Sequence, residues 1–274
     1  MNVIELSVFD CGIRVECSDP QTKSLLSDNY GWFKQSVREP QITYRITREF
    51  RGEGRLIARN RTCPELARDD GDFLYRFEKN MTIETQKLRS NLYFLHAAVL
   101  EMDGRALALV APSGHGKSTT TWGLLHHGFQ YLSDELAPVD LATMQVQPFP
   151  HALCLKTVPP KEYPLPKETI FTTQTAHVPA RFLPCQMTAD SIPLEAVFFV
   201  RFSREIAEPV LKPIGKGEAA ARLFTNALNP LVHSGEGLDG AIEIASRARC
   251  FELLSSNLTL TCELIKSTVL AMRS

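Results

Sequence analysis

The sequence predicts an α/β protein: a mixed sheet flanked by helices over residues 91–274, preceded by a smaller α+β region over 1–90. Three observations predict it. The apolar strand Leu107-Ala-Leu-Val-Ala111 runs into a glycine-punctuated loop, Pro112-Ser-Gly-His-Gly116, and a helix opens directly behind it at Lys117-Ser-Thr-Thr-Thr121. A second apolar run, Ala196-Val-Phe-Phe-Val200, has the length of a buried strand. Helical patterns follow at about 216–228, 238–248 and 258–272.

Composition sets the bounds. A chain of 274 residues can bury a full core, and 44% hydrophobic with 22% charged residues describes an ordinary globular protein. A net charge of −1 gives no electrostatic footing for nucleic acid or an anionic membrane. Apolar runs such as Leu107–Ala111 are far shorter than a membrane span, and the start Met-Asn-Val-Ile-Glu-Leu does not read as a signal peptide. Seven scattered cysteines, odd in number and without a C-x-x-C, fit a reducing cytoplasm.

Taken in order, residues 2–17 alternate as two strands around a turn at Asp10-Cys11-Gly12. Asp19-Pro20 caps and opens a helix reaching about Phe33. Gln41–Thr47 alternates with period two, a half-buried strand, and a short strand at Leu56–Ala58 follows. A helix is expected from about Asp72 to Asn91. This first third carries no motif tied to chemistry and reads as a platform or an oligomer contact. A strand from Leu92 to Glu101, the turn signal Asp103-Gly104 and a return strand, Arg105–Val110, then lead to the loop. The helix behind the loop should run to about His127 and stop at Gly128. Phe129–Ser133 is a short strand ending in two acids, Asp134 and Glu135. Residues 136–195 hold ten prolines and read as turns and a mobile, extended surface loop around a few short strands.

The loop has the anatomy of a phosphate-binding loop. Backbone N–H groups of Ser113, Gly114, His115, Gly116, Lys117, Ser118 and Thr119, with the positive end of the helix dipole, would cradle phosphate oxygens. Lys117 would reach the β- and γ-phosphates, and the Ser118 hydroxyl would bind Mg²⁺. The strict pattern begins with Gly where this chain has Ala111, and His115 is assigned no chemistry of its own.

Four features together resemble the catalytic domain of HPr serine kinase/phosphorylase, closest to its branch of HPr-kinase-related kinases. They are the loop Ser113-Gly-His-Gly-Lys-Ser118; His96, at the family's distance before the loop lysine; the pair Asp134-Glu135, where the family has two aspartates; and Arg201, ending the strand Val197–Val200. The resemblance covers about 90–274, is specific over 94–135, and implies a P-loop kinase domain of the HPr kinase/phosphoenolpyruvate carboxykinase type. It implies catalytic roles for His96, Lys117, Asp134, Glu135 and Arg201, with Ser118 and Asp134 at a Mg²⁺ ion. By position Glu135 matches the proton acceptor; Asp134 could take that role instead, with Glu135 reaching the metal through water. His96 could equally be a core histidine, and Arg201 a partner in a surface salt bridge. The family's acidic segment after the pair is replaced here by Pro148-Phe-Pro-His151-Ala-Leu-Cys-Leu-Lys156, where Lys156 could meet a phosphate or simply face water.

The function expected is a cytoplasmic kinase using ATP and Mg²⁺ to phosphorylate a Ser or Thr hydroxyl of a small protein or peptide, with neither nucleic acid nor membrane as partner. The resemblance also implies a homo-oligomer. A small-molecule kinase, a carboxykinase-like enzyme and a nucleotide-sensing protein with a degenerate site stand as alternatives, and pyrophosphate as an alternative donor.

Overall fold

Asn2–Val8 and Cys11–Cys17 pair as an antiparallel hairpin, but the turn is Phe9-Asp10, two residues that both adopt positive φ (50° and 59°). A two-residue turn of that kind matches the twist of the strands it joins, which a turn centred on Cys11 would not. Gly12 therefore lies in the strand, where an added Cβ would stand 2.5 Å from Val37. The computed structural model describes residues 2–49, 54–60, 62–172 and 175–272.

The hairpin belongs to a five-stranded sheet completed by Ile42–Arg48, Arg55–Arg59 and Glu65–Ala67. Helix α1, Pro20–Tyr30, begins where Asp19 accepts a bond from Thr22 N–H, and Pro20 occupies the first turn, where no donor is missed. A short 3₁₀ turn carries the chain on to Phe33. Helix α2, Asp70–Leu88, starts two residues earlier than the pattern predicts because Asp69 is the cap, bonding Asp72 N–H at 2.8 Å. Its buried side chains, Phe73, Leu74, Phe77, Met81 and Thr85, cover this sheet. Leu92, Phe94, Leu136 and Phe149 join the same core, so the packing crosses residue 90.

A mixed nine-stranded sheet forms the rest of the frame. At its centre Arg105–Val110 and Arg249–Ser255 lie parallel to Ile192–Phe202, on either side of it. Helices α3 (Lys117–His126) and α6 (Leu258–Ala271) cover one face, and α4 (Lys216–Phe224) and α5 (Leu238–Arg247) the other. The result is a mixed α/β structure with three sheets. Burying each of Leu124 and Leu125 on α3 contributes about 1.5–3 kcal/mol, which anchors the helix that follows the loop at 112–116.

Two expectations are corrected here. The strand predicted from Leu92 to Glu101 is two strands, Leu92–Leu95 and Ala97–Met102, broken at His96. The first pairs with Ala137–Asp140, the second with Arg105–Val110 and Gln130–Ser133. At the break, His96 N–H bonds Asn226 O at 2.8 Å instead of a strand neighbour. The second correction concerns the proline-rich segment: its few short strands are present as expected, but they pack into the core rather than lying as a loop on the surface. A three-stranded sheet, Leu153–Leu155, Ile170–Phe171 and Ala176–Val178, buries Leu153, Leu155, Tyr163 and Val178 against α3 (173–174 lie outside the described residues). Trp122 Nε1–H donates to Tyr163 O at 3.0 Å, locking helix and segment together. Prolines suit such packing because they leave no N–H to satisfy. Among the described residues, no helix is long and apolar enough to cross a membrane.

Where α3 meets α6, the packing leaves no room. An added Cβ on Gly123 would stand 2.7 Å from Cys262 Sγ and 2.8 Å from Leu258. Replacing a helical glycine with alanine gains about 0.5–1 kcal/mol in open space, whereas overpacking costs about 1–3 kcal/mol. Gly123→Ala is therefore expected to lower the unfolding free energy, measured by urea denaturation. Unchanged or higher stability would show that α6 gives way freely.

Candidate active site

The loop at 112–116 leaves the end of Arg105–Val110 and turns through Gly114 and Gly116, at φ 86° and 93°. Those values lie in the left-handed region, which glycine enters without a Cβ penalty. An added Cβ on Gly114 would meet nothing within 4 Å, so the backbone there faces open space. Gly116 caps α3 with no side chain bonded to the first turn. The donors of that turn thus point into an open cradle suited to anions. Ser113 and Gly114 are exposed; His115, Gly116, Ser118 and Thr119 are half-buried. Phe202 N–H ties the neighbouring strand to the loop by bonding His115 O at 3.2 Å.

Lys117 turns inward and is 5% exposed. Its ammonium donates to Asp134 O at 2.9 Å and to Glu135 Oε2 at 3.3 Å, and lies 3.1 Å from His96 Nε2. His96 Nε2 is 2.7 Å from the same Glu135 oxygen. The shorter contact assigns the proton: His96 Nε2–H donates to Glu135, since a bare nitrogen would set its lone pair against the carboxylate. The strand break at His96 puts the imidazole here, beside the helix start. Ser118 Oγ–H donates to Asp134 Oδ2 at 2.9 Å.

The two acids differ in environment. Asp134 is completely buried, and its pKa is pushed up to about 6, chiefly by burial, with Glu135 adding to the rise while Lys117 opposes it. Burial would raise Glu135 too, but the bond from His96 and the charge of Lys117 outweigh it and hold Glu135 down at about 2. With 43% of its side chain exposed, Glu135 is the acid an acceptor can reach. Asp134 is not.

Arg201 stands exposed at the end of Ile192–Phe202, one residue before the loop contact at Phe202. Among the described residues, no hydrogen bond draws it into the Lys117 cluster. Lys156 follows the strand Leu153–Leu155 and bonds Ser113 Oγ, which puts its ammonium across the open side of the loop. Cys154, bonded to His177 Nδ1 at 3.0 Å, has its thiol pushed far up by burial and the nearby acids and is no nucleophile.

Residues outside the motifs also converge on this place. His151 is fully buried, 3.0 Å from Glu78 of α2. Nothing in the first third pointed to Glu78 as a functional residue. The available signal was an acid set at helical spacing within the apolar stripe Leu74, Met81 and Thr85.

A divalent cation fits the donor set. Asp134 Oδ1 is buried without a hydrogen-bond partner, beside the Ser118 hydroxyl. Among the described residues no group of three His, Cys, Asp or Glu side chains forms a metal cluster, and Mg²⁺ at a nucleotide needs none, taking phosphate and water as its other ligands.

Comparison with known proteins adds little. No family model matches the chain, and no curated protein matches it. Among solved structures it is similar to an Hpr(Ser) kinase/phosphatase from Coxiella burnetii, at 12% identity and a TM-score of 0.34, covering 66% of this chain and 99% of that one. That is a distant structural relationship, short of family membership.

The charge cluster has a pH signature. Glu135, depressed from 4.5 to about 2 in the folded protein, contributes stability that is present above pH 4.5 and lost as pH falls toward 2. Glu135→Gln should therefore melt below wild type at neutral pH, with the gap closing between about pH 4.5 and 2 in thermal unfolding. A gap independent of pH would contradict this electrostatic account.

Proposed function

We propose that this protein is an ATP-dependent phosphotransferase that moves the γ-phosphoryl group to a hydroxyl, specifically a Ser or Thr side chain of a peptide or small protein. One observation carries the reading: the open loop cradle, Lys117, the Ser118–Asp134 pair and a reachable, ionised Glu135 with its His96 donor all meet at the start of α3. Phosphoryl transfer is catalysed almost wholly by positioning and charge, and this cluster supplies both.

Lys117 is neutralised by Glu135 while no phosphate is bound. Phosphate oxygens arriving in the cradle compete for that ammonium. Were Lys117 to turn to them, Glu135 would keep its bond from His96 but lose one of the two partners that depress its pKa, and its basicity would rise. The Glu135 carboxylate would then accept the hydroxyl proton of the acceptor as the new O–P bond forms and the bond from the γ-phosphorus to the departing ADP breaks, while His96 Nε2–H keeps the carboxylate oriented. Ser118 and Asp134, with phosphate and water, would hold a Mg²⁺ ion that offsets the charge of the transferred group. Lys156 and Arg201 stand at the rim, where they would meet outer phosphate oxygens or an anionic acceptor. Peptide rather than small molecule is favoured by the openness of the site, whose acid and loop both face solvent. The cytoplasm, where ATP is the abundant donor, is the compartment in which such a phosphotransferase would act.

Incubation with labelled ATP, Mg²⁺ and a panel of Ser/Thr peptides and small proteins tests this. Label should reach an acceptor hydroxyl, and Lys117→Ala should cut the rate by about 100-fold or more. Equal labelling by Lys117→Ala, or nucleotide binding with no transfer to any acceptor, would overturn the reading.

Two further variants separate the roles. Glu135→Gln should lower kcat by about 10²–10⁴-fold while leaving nucleotide affinity within a few-fold. Lys156→Ala should instead weaken ATP binding by about tenfold, the worth of one charged hydrogen bond, with kcat little changed. Steady-state kinetics with titrated ATP distinguish these outcomes.

A further inference from the structure

Glu78 sits on the covered side of α2, among Leu74, Phe77 and Met81, with 19% of its side chain exposed. It faces inward. Its Oε2 accepts the Tyr30 hydroxyl at 3.0 Å and lies 3.0 Å from Nδ1 of His151, an ion-pair distance whose angles fall short of a hydrogen bond. His151 follows closely on a backbone bond, Phe149 N–H to Leu132 O at 2.8 Å, which lays its segment against the strand that ends at Asp134. The imidazole is fully buried. Burial disfavours its charged form, but Glu78, with Asp134 and Glu135 beyond it, outweighs this and raises its pKa.

Among the described residues, four buried atoms of these groups are without hydrogen-bond partners: Asp134 Oδ1, the Tyr131 hydroxyl, and Nδ1 and Nε2 of His151. These groups are close enough to feel one another's charge. Orphaned polar atoms are rare in folded proteins, and a group of them asks for a use. Stability does not supply one, because a buried ion pair is commonly no better than a well-packed neutral one.

We propose that Glu78 and His151 form a positioning pair for Asp134. Ser118 holds one oxygen of that carboxylate, and the buried imidazole, paired with Glu78, would support the oxygen that Ser118 leaves unbonded. The N-terminal region is then a working part of the phosphoryl-transfer site rather than a platform. This rests on the function proposed above, and its substance is that the support acts through Asp134 on the metal-assisted nucleotide. Residues that hold a metal ligand in place typically change metal affinity or activity by about 10–100-fold when removed.

The test pairs folding with nucleotide binding. Glu78→Gln and His151→Gln each leave one buried partner uncompensated and should lower Tm, whereas Glu78→Gln/His151→Gln removes both charges and should recover most of it. Positioning predicts that the double variant, though refolded to near wild-type Tm, still shows kcat down by about tenfold or more. The extra ATP affinity conferred by Mg²⁺ should fall by a similar factor, with Mg²⁺-free affinity within about twofold of wild type. A purely structural pair predicts that kcat and the Mg²⁺ effect return together with Tm, and that result overturns the proposal. Should the double variant not fold, Glu78→Asp keeps the charge but draws it one methylene back from His151. It should fold and show the same loss in smaller measure, and full retention of kcat and Mg²⁺ effect would refute positioning. A wild-type protein that binds no ATP, with or without Mg²⁺, defeats the function proposed above and this proposal with it. ATP binding strengthened by Mg²⁺ in wild type, with variants indistinguishable from it, defeats this proposal alone.

Discussion

An ammonium group taken almost wholly out of water must be surrounded by oxygens, and in this protein that requirement falls on Lys117. Three groups from two places in the chain surround it: the backbone carbonyl of Asp134, the carboxylate of Glu135 and, sharing that carboxylate, the imidazole of His96. Each depends on a local feature. His96 is available because the strand breaks there and its N–H goes to Asn226. The acids are available because Gln130–Ser133 ends where α3 begins its first turn. Without these partners Lys117 would have to leave the interior, and the start of α3 would lose its shape.

The same cluster divides labour between two adjacent acids. Successive side chains beyond a strand end point in different directions, so one can be sealed and the other presented. Asp134 is sealed against Ser118 and raised by burial, whereas Glu135 is presented and kept ionised by the bond from His96 and the charge of Lys117. Proton acceptance requires contact with the acceptor, and cation binding requires a carboxylate fixed beside the phosphates. The function proposed above assigns the pair along those lines. Swapping the roles would demand that Asp134 emerge from a completely buried position.

Around this centre the fold builds walls from unexpected material. The proline-rich segment packs on α3 through Tyr163, whose carbonyl takes Trp122 Nε1–H and whose hydroxyl donates to Thr259 at the start of α6. It also brings Lys156 to the loop at Ser113 and His151 to Glu78 of α2. The N-terminal sheet shares its core with Leu92, Phe94, Leu136 and Phe149, and so presses α2 and Glu78 toward the same place. A region without motifs thereby borders the most charged part of the interior.

Much of this was written locally. The loop and its helix, the capping aspartate at 19, the turn at Asp103-Gly104 and the acids after Ser133 all depend on a few consecutive residues. Backbone preference and periodicity decide those at short range. The extra strand break at His96, the burial of the proline-rich segment and the reach of Glu78 to His151 depend on partners tens of residues away. Periodicity cannot register such partners: Leu92–Glu101 is apolar enough for one strand, and prolines read as loop whether or not something packs on them. The chain alone therefore determined that a strand, a glycine-punctuated loop and a helix follow one another and which acids accompany them, because those are properties of neighbouring residues. Which acid is buried, which is exposed, and what stands behind them were decided only by tertiary packing, because burial and charge are set by what the rest of the chain brings near.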